Sequence, residues 1–213
     1  EVFAYEALVR GADGAPAAAV IAAIPDDRLY AFDQACRVTA IETAAALGMR
    51  QTVSINFLPN AVYQPENCIR RTLAAARSAD WPLERILFEV AEREHVSRPA
   101  HLLNPRCLRS MGFRTAIDDF GAGYAGLNLL AAFQPDLVKL DMALVRGIDA
   151  DRARRTIVDH VVRMCVELGI AVVGEGVETR DEAAALRDLG IDLQQGYLYA
   201  RPQLGMLPEP SYA

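Results

Sequence analysis

Short apolar runs rich in β-branched and aromatic residues alternate along the chain with longer stretches whose apolar residues recur every three or four positions. The short runs predict strands at Val2–Leu8, Thr52–Phe57, Ile86–Val90, Arg114–Ile117, Leu137–Leu140, Ala171–Gly174 and Asp192–Tyr197. The longer stretches predict helices over Arg28–Leu47, Pro65–Ser78, Ala100–Met111, Ala125–Ala132, Asp151–Leu168 and Arg180–Leu189. Gly48 stops the first helix, and Gly112, Gly169 and Gly190 stand where a helix end favours a left-handed residue. Strand and helix alternating at this cadence predict an α/β fold, a parallel sheet with crossover helices. Seven strands are visible, and the chain opens inside the first. An eighth strand upstream of residue 1 would close a (β/α)8 barrel of the TIM type; an open doubly wound sheet is the alternative.

The predicted strands share a feature at their C-terminal ends: each finishes in a polar side chain. In order these are Glu6; Asn56; Glu89, with Glu92 beyond; Asp118 and Asp119, in IDDFGAGYAG; Lys139 and Asp141; Glu175, with Glu178 beyond; and Gln195. Taken singly, each reads as a solvated rim residue. Asp141 and Glu178 could equally cap helices, Gln195 could bond backbone, and Arg10 could pair with a surface carboxylate. Seven polar strand ends together point instead to one site, because in a (β/α)8 barrel these ends form the face that carries the chemistry. The adjacent aspartates sharpen the point, since like charges side by side repel unless positive charge lies between them. Carboxylates and an amide oxygen, without cysteine or histidine, make a hard oxygen donor set that suits Mg²⁺ or Mn²⁺ better than zinc. Two such ions can clamp the attacking and leaving oxygens of a phosphate ester. Lys139 would then orient a water or balance the leaving group, and Arg10 would meet substrate charge.

Composition narrows the classes. The 213 residues suit one domain, 52% of them are hydrophobic, and no apolar run reaches membrane-spanning length. The net charge of −6 and pI near 5.1 argue against binding a nucleic-acid polymer. Cys36, Cys68, Cys107 and Cys165 form no CxxC pair, and His95, His101 and His160 lack zinc-helix spacing. Reduced cysteines and the lack of a secretory pattern fit a cytoplasmic protein.

The ordered blocks YEALVRG, SINFLPN, FEVAERE, IDDFGAGYAGLNLL, DLVKLD, VVGEGVET and QQGYLYARP resemble those of the EAL domain family, which hydrolyses the bacterial messenger cyclic di-GMP to the linear dinucleotide pGpG. The resemblance covers residues 1–202, a domain whose first strand is absent from this chain, and leaves 203–213 as a tail. It implies a TIM-like barrel and two ions of Mg²⁺ or Mn²⁺, with Ca²⁺ inhibitory. Glu6, Asn56, Glu89 and Asp118 would bind one ion; Asp118 would bridge to the second, which Asp119 also binds, with Glu175 close by. Lys139 would contact the attacking water, with Glu175 and Gln195 completing the catalytic set. Leu8, Arg10, Asp141 and Pro202 would hold substrate. Phe120 to Leu130, including Gly121, would be a loop linking the metal site to a homodimer interface, tied down by Glu92, with Glu178 in support. Ala125-Gly126 stands where the family usually has two serines, and Ala91 where it usually has threonine. The opening stretch resembles versions attached to blue-light sensors, implying an upstream sensory domain. A catalytically silent cyclic di-GMP receptor and a nucleotide-free interaction module are the alternatives; the retained ligand set argues against both.

Overall fold

The computed structural model describes residues 1–58, 65–92, 105–123 and 126–212. Its strands are β1 (Ala4–Ala7), β2 (Thr52–Asn56), β3 (Ile86–Ala91), β4 (Arg114–Phe120), β5 (Leu137–Leu140), β6 (Ala171–Gly174) and β7 (Leu193–Gln194). Its helices are α1 (Ala17–Ala22), α2 (Asp26–Ala46), α3 (Pro65–Ser78), α4 (Pro105–Ser110), α5 (Gly126–Ala132), α6 (Met142–Val145), α7 (Arg152–Glu167) and α8 (Arg180–Asp188). They fall into two compact units.

The first unit contains Glu1–Val90, α4 and the chain up to Arg114, and Pro202–Leu207. β1 pairs parallel with β2, Glu6 opposite Ser54, and β2 pairs parallel with β3, Asn56 opposite Glu89. Thr52 to Ile55 of β2 are all buried, as expected of a parallel strand covered on both faces. Phe88 anchors the core between Phe57 and Phe113, with ring centroids 5.5 and 5.1 Å away. Leu207 packs against the same core.

Within α2 the apolar spacing conceals a buried ion pair. Arg37 is fully buried and reaches Asp33 at 2.8 Å and Thr72 Oγ1 at 3.2 Å, its guanidinium 5.0 Å from the Phe57 ring centroid. Asp33 also accepts the Leu58 amide at 3.3 Å. Burial raises the Asp33 pKa, and the Arg37 charge works against that rise. Removing one member would strand the other's charge, so the pair is costly to break whatever its net stabilisation.

The second unit contains Thr115–Arg201 and Pro208–Ala213, with Ala91 and Glu92. β4, β5, β6 and β7 pair parallel in chain order. Ile117, Val138, Leu140, Val158 and Leu186 lie in its core. Burial pushes the Cys165 thiol up to about 11, so it is an inert packing group. The Thr179 side chain and Glu182 form a reciprocal capping box at the start of α8. The Ser211 amide donates to the Tyr199 carbonyl at 2.8 Å.

Among the described residues there are therefore seven strands, each paired parallel with a chain neighbour inside its unit, with helices between them. Several predicted bounds shift. β4 runs three residues past Ile117, through both aspartates to Phe120. The seventh strand shrinks to two residues, which leaves Gln195 beyond it. α1 and α6 were not predicted, because six residues of AAAVIA carry no polar face and four residues are too few to show a period. Ala100 to Asn104 and Ala125 lie outside the described residues. Among the described residues no helix is long and apolar enough to cross a membrane.

Candidate functional site

In β4 the ladder with β5 is interrupted. Ile117 stands opposite Val138 and Phe120 opposite Leu140, so Asp118 and Asp119 together oppose the single residue Lys139. Two residues facing one is a β-bulge, an uncommon feature between parallel strands. Asp119 has φ +54°, in the left-handed region that non-glycine residues enter at a cost of order 1–2 kcal/mol. The Ala122 amide donates to its carbonyl at 3.0 Å and holds the turn. In a regular strand, neighbouring side chains point to opposite faces. The bulge breaks that alternation, and oxygens of Asp118, Asp119 and Glu175 lie within 4.8 Å of one another.

Lys139 is 3% exposed, and its Nζ lies 2.9 Å from both Asp118 Oδ1 and Glu175 Oε1. The ammonium thus sits between two carboxylates of the cluster and offsets their repulsion. Oxygens sharing one Mg²⁺ at ~2.1 Å can lie up to about 4.2 Å apart. The three oxygens are thus near enough for a cation to draw them together. Its all-carboxylate donors fit a hard divalent cation and do not fit zinc's preference for sulfur and nitrogen.

The other sequence-predicted ligands lie in the first unit. Asn56 Nδ2 donates to Glu6 Oε1 at 3.0 Å, which brings the ends of β1 and β2 together. Glu89 is buried, and its Oε1 accepts the Ser54 hydroxyl at 2.5 Å. Ser54 was missed in the sequence. The available signal was its place two residues before Asn56, on the same face of β2. The hydroxyl orients a carboxylate that would otherwise enter the core without that donor.

Glu92, 2% exposed, belongs to the second unit. Its Oε2 accepts the Gly121 amide at 2.7 Å and its Oε1 the Gly126 amide at 2.8 Å. One carboxylate therefore holds the backbone at both Gly121, just after the aspartates, and Gly126, at the start of α5. Phe120 is not a loop residue: it ends β4 and is buried in the core, and residues from Gly126 onward are helical. A Cβ on Gly126 would lie 3.0 Å from Glu92 Cδ and 3.0 Å from the Phe120 ring, so glycine here permits the close approach of the carboxylate. Glu92→Ala leaves two amides without their acceptor, a loss of about 1–3 kcal/mol. We expect a lower melting temperature and, if about 1.4 kcal/mol of that reaches the site, turnover about tenfold slower. Thermal unfolding and initial rates on the same preparation check this; an unchanged rate would confine Glu92 to stability.

The remaining predicted residues have more ordinary surroundings. Asp141 is the N-cap of α6 and accepts the Ala143 amide at 2.8 Å. Glu178 is about half exposed and pairs with Arg146. The exposed Gln195 uses its backbone, donating to Gly174 and accepting from Val177. Arg10 donates to its neighbour's carbonyl, Val9, at 2.8 Å. Leu8 and Pro202 are exposed in the first unit.

Residues 1–202 match the family model described as EAL domain. The chain belongs to the EAL domain family. It is 31% identical over 209 residues to the blue light- and temperature-regulated antirepressor BluF of Escherichia coli, covering 97% of this chain and 52% of BluF. It is 39% identical over 122 residues to the cyclic di-GMP phosphodiesterase RocR of Pseudomonas aeruginosa, covering 57% of this chain and 31% of RocR. The chain thus spans about half of one relative and about a third of the other. Among solved structures, a standalone EAL protein from Vibrio cholerae O395 bound to cyclic di-GMP matches with TM-score 0.94 and 47% identity, over 99% of this chain and 90% of that one. Klebsiella pneumoniae BlrP1 with manganese and cyclic di-GMP matches with TM-score 0.91 and 38% identity, over 98% of this chain and 54% of that one.

Proposed function

We propose that this EAL domain hydrolyses cyclic di-GMP to pGpG with two divalent cations, Mg²⁺ or Mn²⁺. The observation that carries the reading is the bulged Asp118–Asp119 pair, drawn together with Glu175 around the Lys139 ammonium. The cyclic di-GMP complexes of the Vibrio and Klebsiella relatives support the choice of ligand.

In this reading residues 1–202 are the phosphodiesterase domain, a TIM-like barrel, and residues 203–213 follow it. Asp118, Asp119 and Glu175 hold cations, with Glu6, Asn56 and Glu89 supplying the further oxygen ligands that the family resemblance assigns them. Bound there, the cations supply positive charge to the phosphate oxygens that become more negative as the ester opens. Lys139 contacts the attacking water with an N–H and orients it. Asp118 and Glu175 hold the ammonium in place, so it need not reorganise during reaction. Arg10 meets the substrate phosphate, and Leu8, Asp141, Pro202 and Gln195 line the site. A homodimer and an attached sensory domain belong to the same reading; BluF, as its name states, is regulated by light and temperature.

BluF is named an antirepressor, which keeps a catalytically silent module as the second reading. Product analysis separates the two. With Mg²⁺ or Mn²⁺ the chain should convert cyclic di-GMP to pGpG; chelation should stop it, and Ca²⁺, with its looser coordination, should not restore it. Tight binding without pGpG would establish the silent module, and hydrolysis surviving exhaustive chelation would remove the cations from the reaction.

A further inference from the structure

The connection after β5 and the connection after β6 meet at three places. Met142, which opens α6, lies so close to Gly176 that an added Cβ there would stand 2.5 Å from its own Cβ. Arg146 pairs with Glu178. The third contact is made by the buried Glu182, 4% exposed, at the start of α8. Its Oε1 accepts the Gly147 amide at 2.9 Å, and its Oε2 accepts the amides of Glu178 and Thr179, each at 3.0 Å.

A capping box accounts for the bond to Thr179 alone. It does not account for a bond to Gly147, 35 residues earlier in the chain. Nor would a cap need a carboxylate: glutamine closes the same box. Three amides converging from two connections do need one, because both oxygens must accept, and a glutamine would turn an NH₂ toward one of the donors. Burial pulls the Glu182 pKa up, but the Gly147, Glu178 and Thr179 amides outweigh it and hold the carboxyl below its usual range.

We propose that Glu182 is a positioning residue whose carboxylate ties the segment following Lys139 and Asp141 to the segment following Glu175, and so fixes the Lys139–Glu175 pair. The inference rests on the reading that Lys139 and Glu175 serve hydrolysis. The structural link it asserts is measurable without that reading. The Glu175 amide donates to the Leu140 carbonyl at 3.2 Å, so its exchange with solvent reports the register of the two site residues directly.

The test compares the whole chain with Glu182→Gln, Glu182→Ala and Asp188→Ala. Asp188, also on α8, makes an exposed ion pair with Arg155 and touches neither connection, so it controls for loss of helix stability. Amide exchange is followed by NMR without metal or substrate, and Mn²⁺ affinity by calorimetry on the same samples. Glu182→Gln should speed exchange at Gly147 and at Glu175 at least about tenfold and weaken Mn²⁺ binding several-fold, with kcat falling more than KM rises; Asp188→Ala should do none of these. Should Glu182→Ala fail to fold, the isosteric glutamine variant still decides. If exchange rises at Gly147, Glu178 and Thr179 while Glu175 stays as protected as in the parent, Glu182 is a helix cap and the proposal falls. A parent chain that forms no pGpG would overturn the functional reading instead, and the Glu175 exchange comparison would stand on its own.

Discussion

Asp118→Asn should abolish turnover, slowing it at least about a thousandfold, roughly 4 kcal/mol, while Glu178→Gln stays within about tenfold, roughly 1.4 kcal/mol. The contrast comes from their surroundings. Asp118 shares the bulge with Asp119, pairs with Lys139, and contributes to the three-carboxylate cluster. Asparagine keeps its size but removes its charge and can place an NH₂ where an oxygen ligand is needed. Lys139 would then lose the Asp118 charge and keep that of Glu175. Glu178 pairs with Arg146 on the surface, where an exposed ion pair contributes little. Initial rates at saturating Mg²⁺ decide the matter, and comparable activity in the two variants would remove Asp118 from the bridging role.

The second large effect concerns Lys139. Lys139→Met preserves most of the stem, which β5 buries, and removes the ammonium that lies 2.9 Å from each of two carboxylates. An ammonium that merely attracted substrate would act equally in the ground and transition states, whereas one that orients the attacking water acts only as the bond forms. We expect the second behaviour. Affinity for cyclic di-GMP, measured by calorimetry with Ca²⁺, should change by less than about tenfold, roughly 1.4 kcal/mol. Turnover with Mg²⁺ should fall at least about a hundredfold, roughly 2.7 kcal/mol. Divalent cation should also raise the melting temperature more in the variant than in the parent, because Asp118 and Glu175 lose their neighbouring positive charge and binding to the folded state is linked to stability. Affinity falling as far as turnover would make Lys139 a substrate anchor.

These residues were legible in the sequence because a polar side chain near the end of a short apolar run stands out. Glu6, Asn56, Glu89 and Lys139 all stood out this way. The α/β class was equally plain from the alternation of periods. What the sequence concealed was local geometry without a period of its own. Nothing in IDDF announces that the strand continues through both aspartates, since a bulge depends on pairing with β5 rather than on composition. Arg37 hid because one charged residue among several in a helix reads as a surface residue, and only packing reveals its partners Asp33 and Thr72. Ser54 hid because a small hydroxyl in a buried strand carries no charge to draw notice. Glu182 was masked by its own helix, where a glutamate three residues after a threonine already has a sufficient local explanation.

The bulge at Asp118–Asp119 makes the site depend on counting as well as on chemistry. Because two residues occupy one step of the ladder, Phe120 returns to the buried side opposite Leu140, where a strand one residue shorter would have placed it directly. Losing Asp119 outright would therefore leave the ladder more regular, Phe120 still in place, and the segment free of its left-handed residue. Such a deletion could give a sturdier fold with one carboxylate in place of two. The extra residue is thus an irregularity of the ladder that places a second carboxylate beside Asp118 and Glu175.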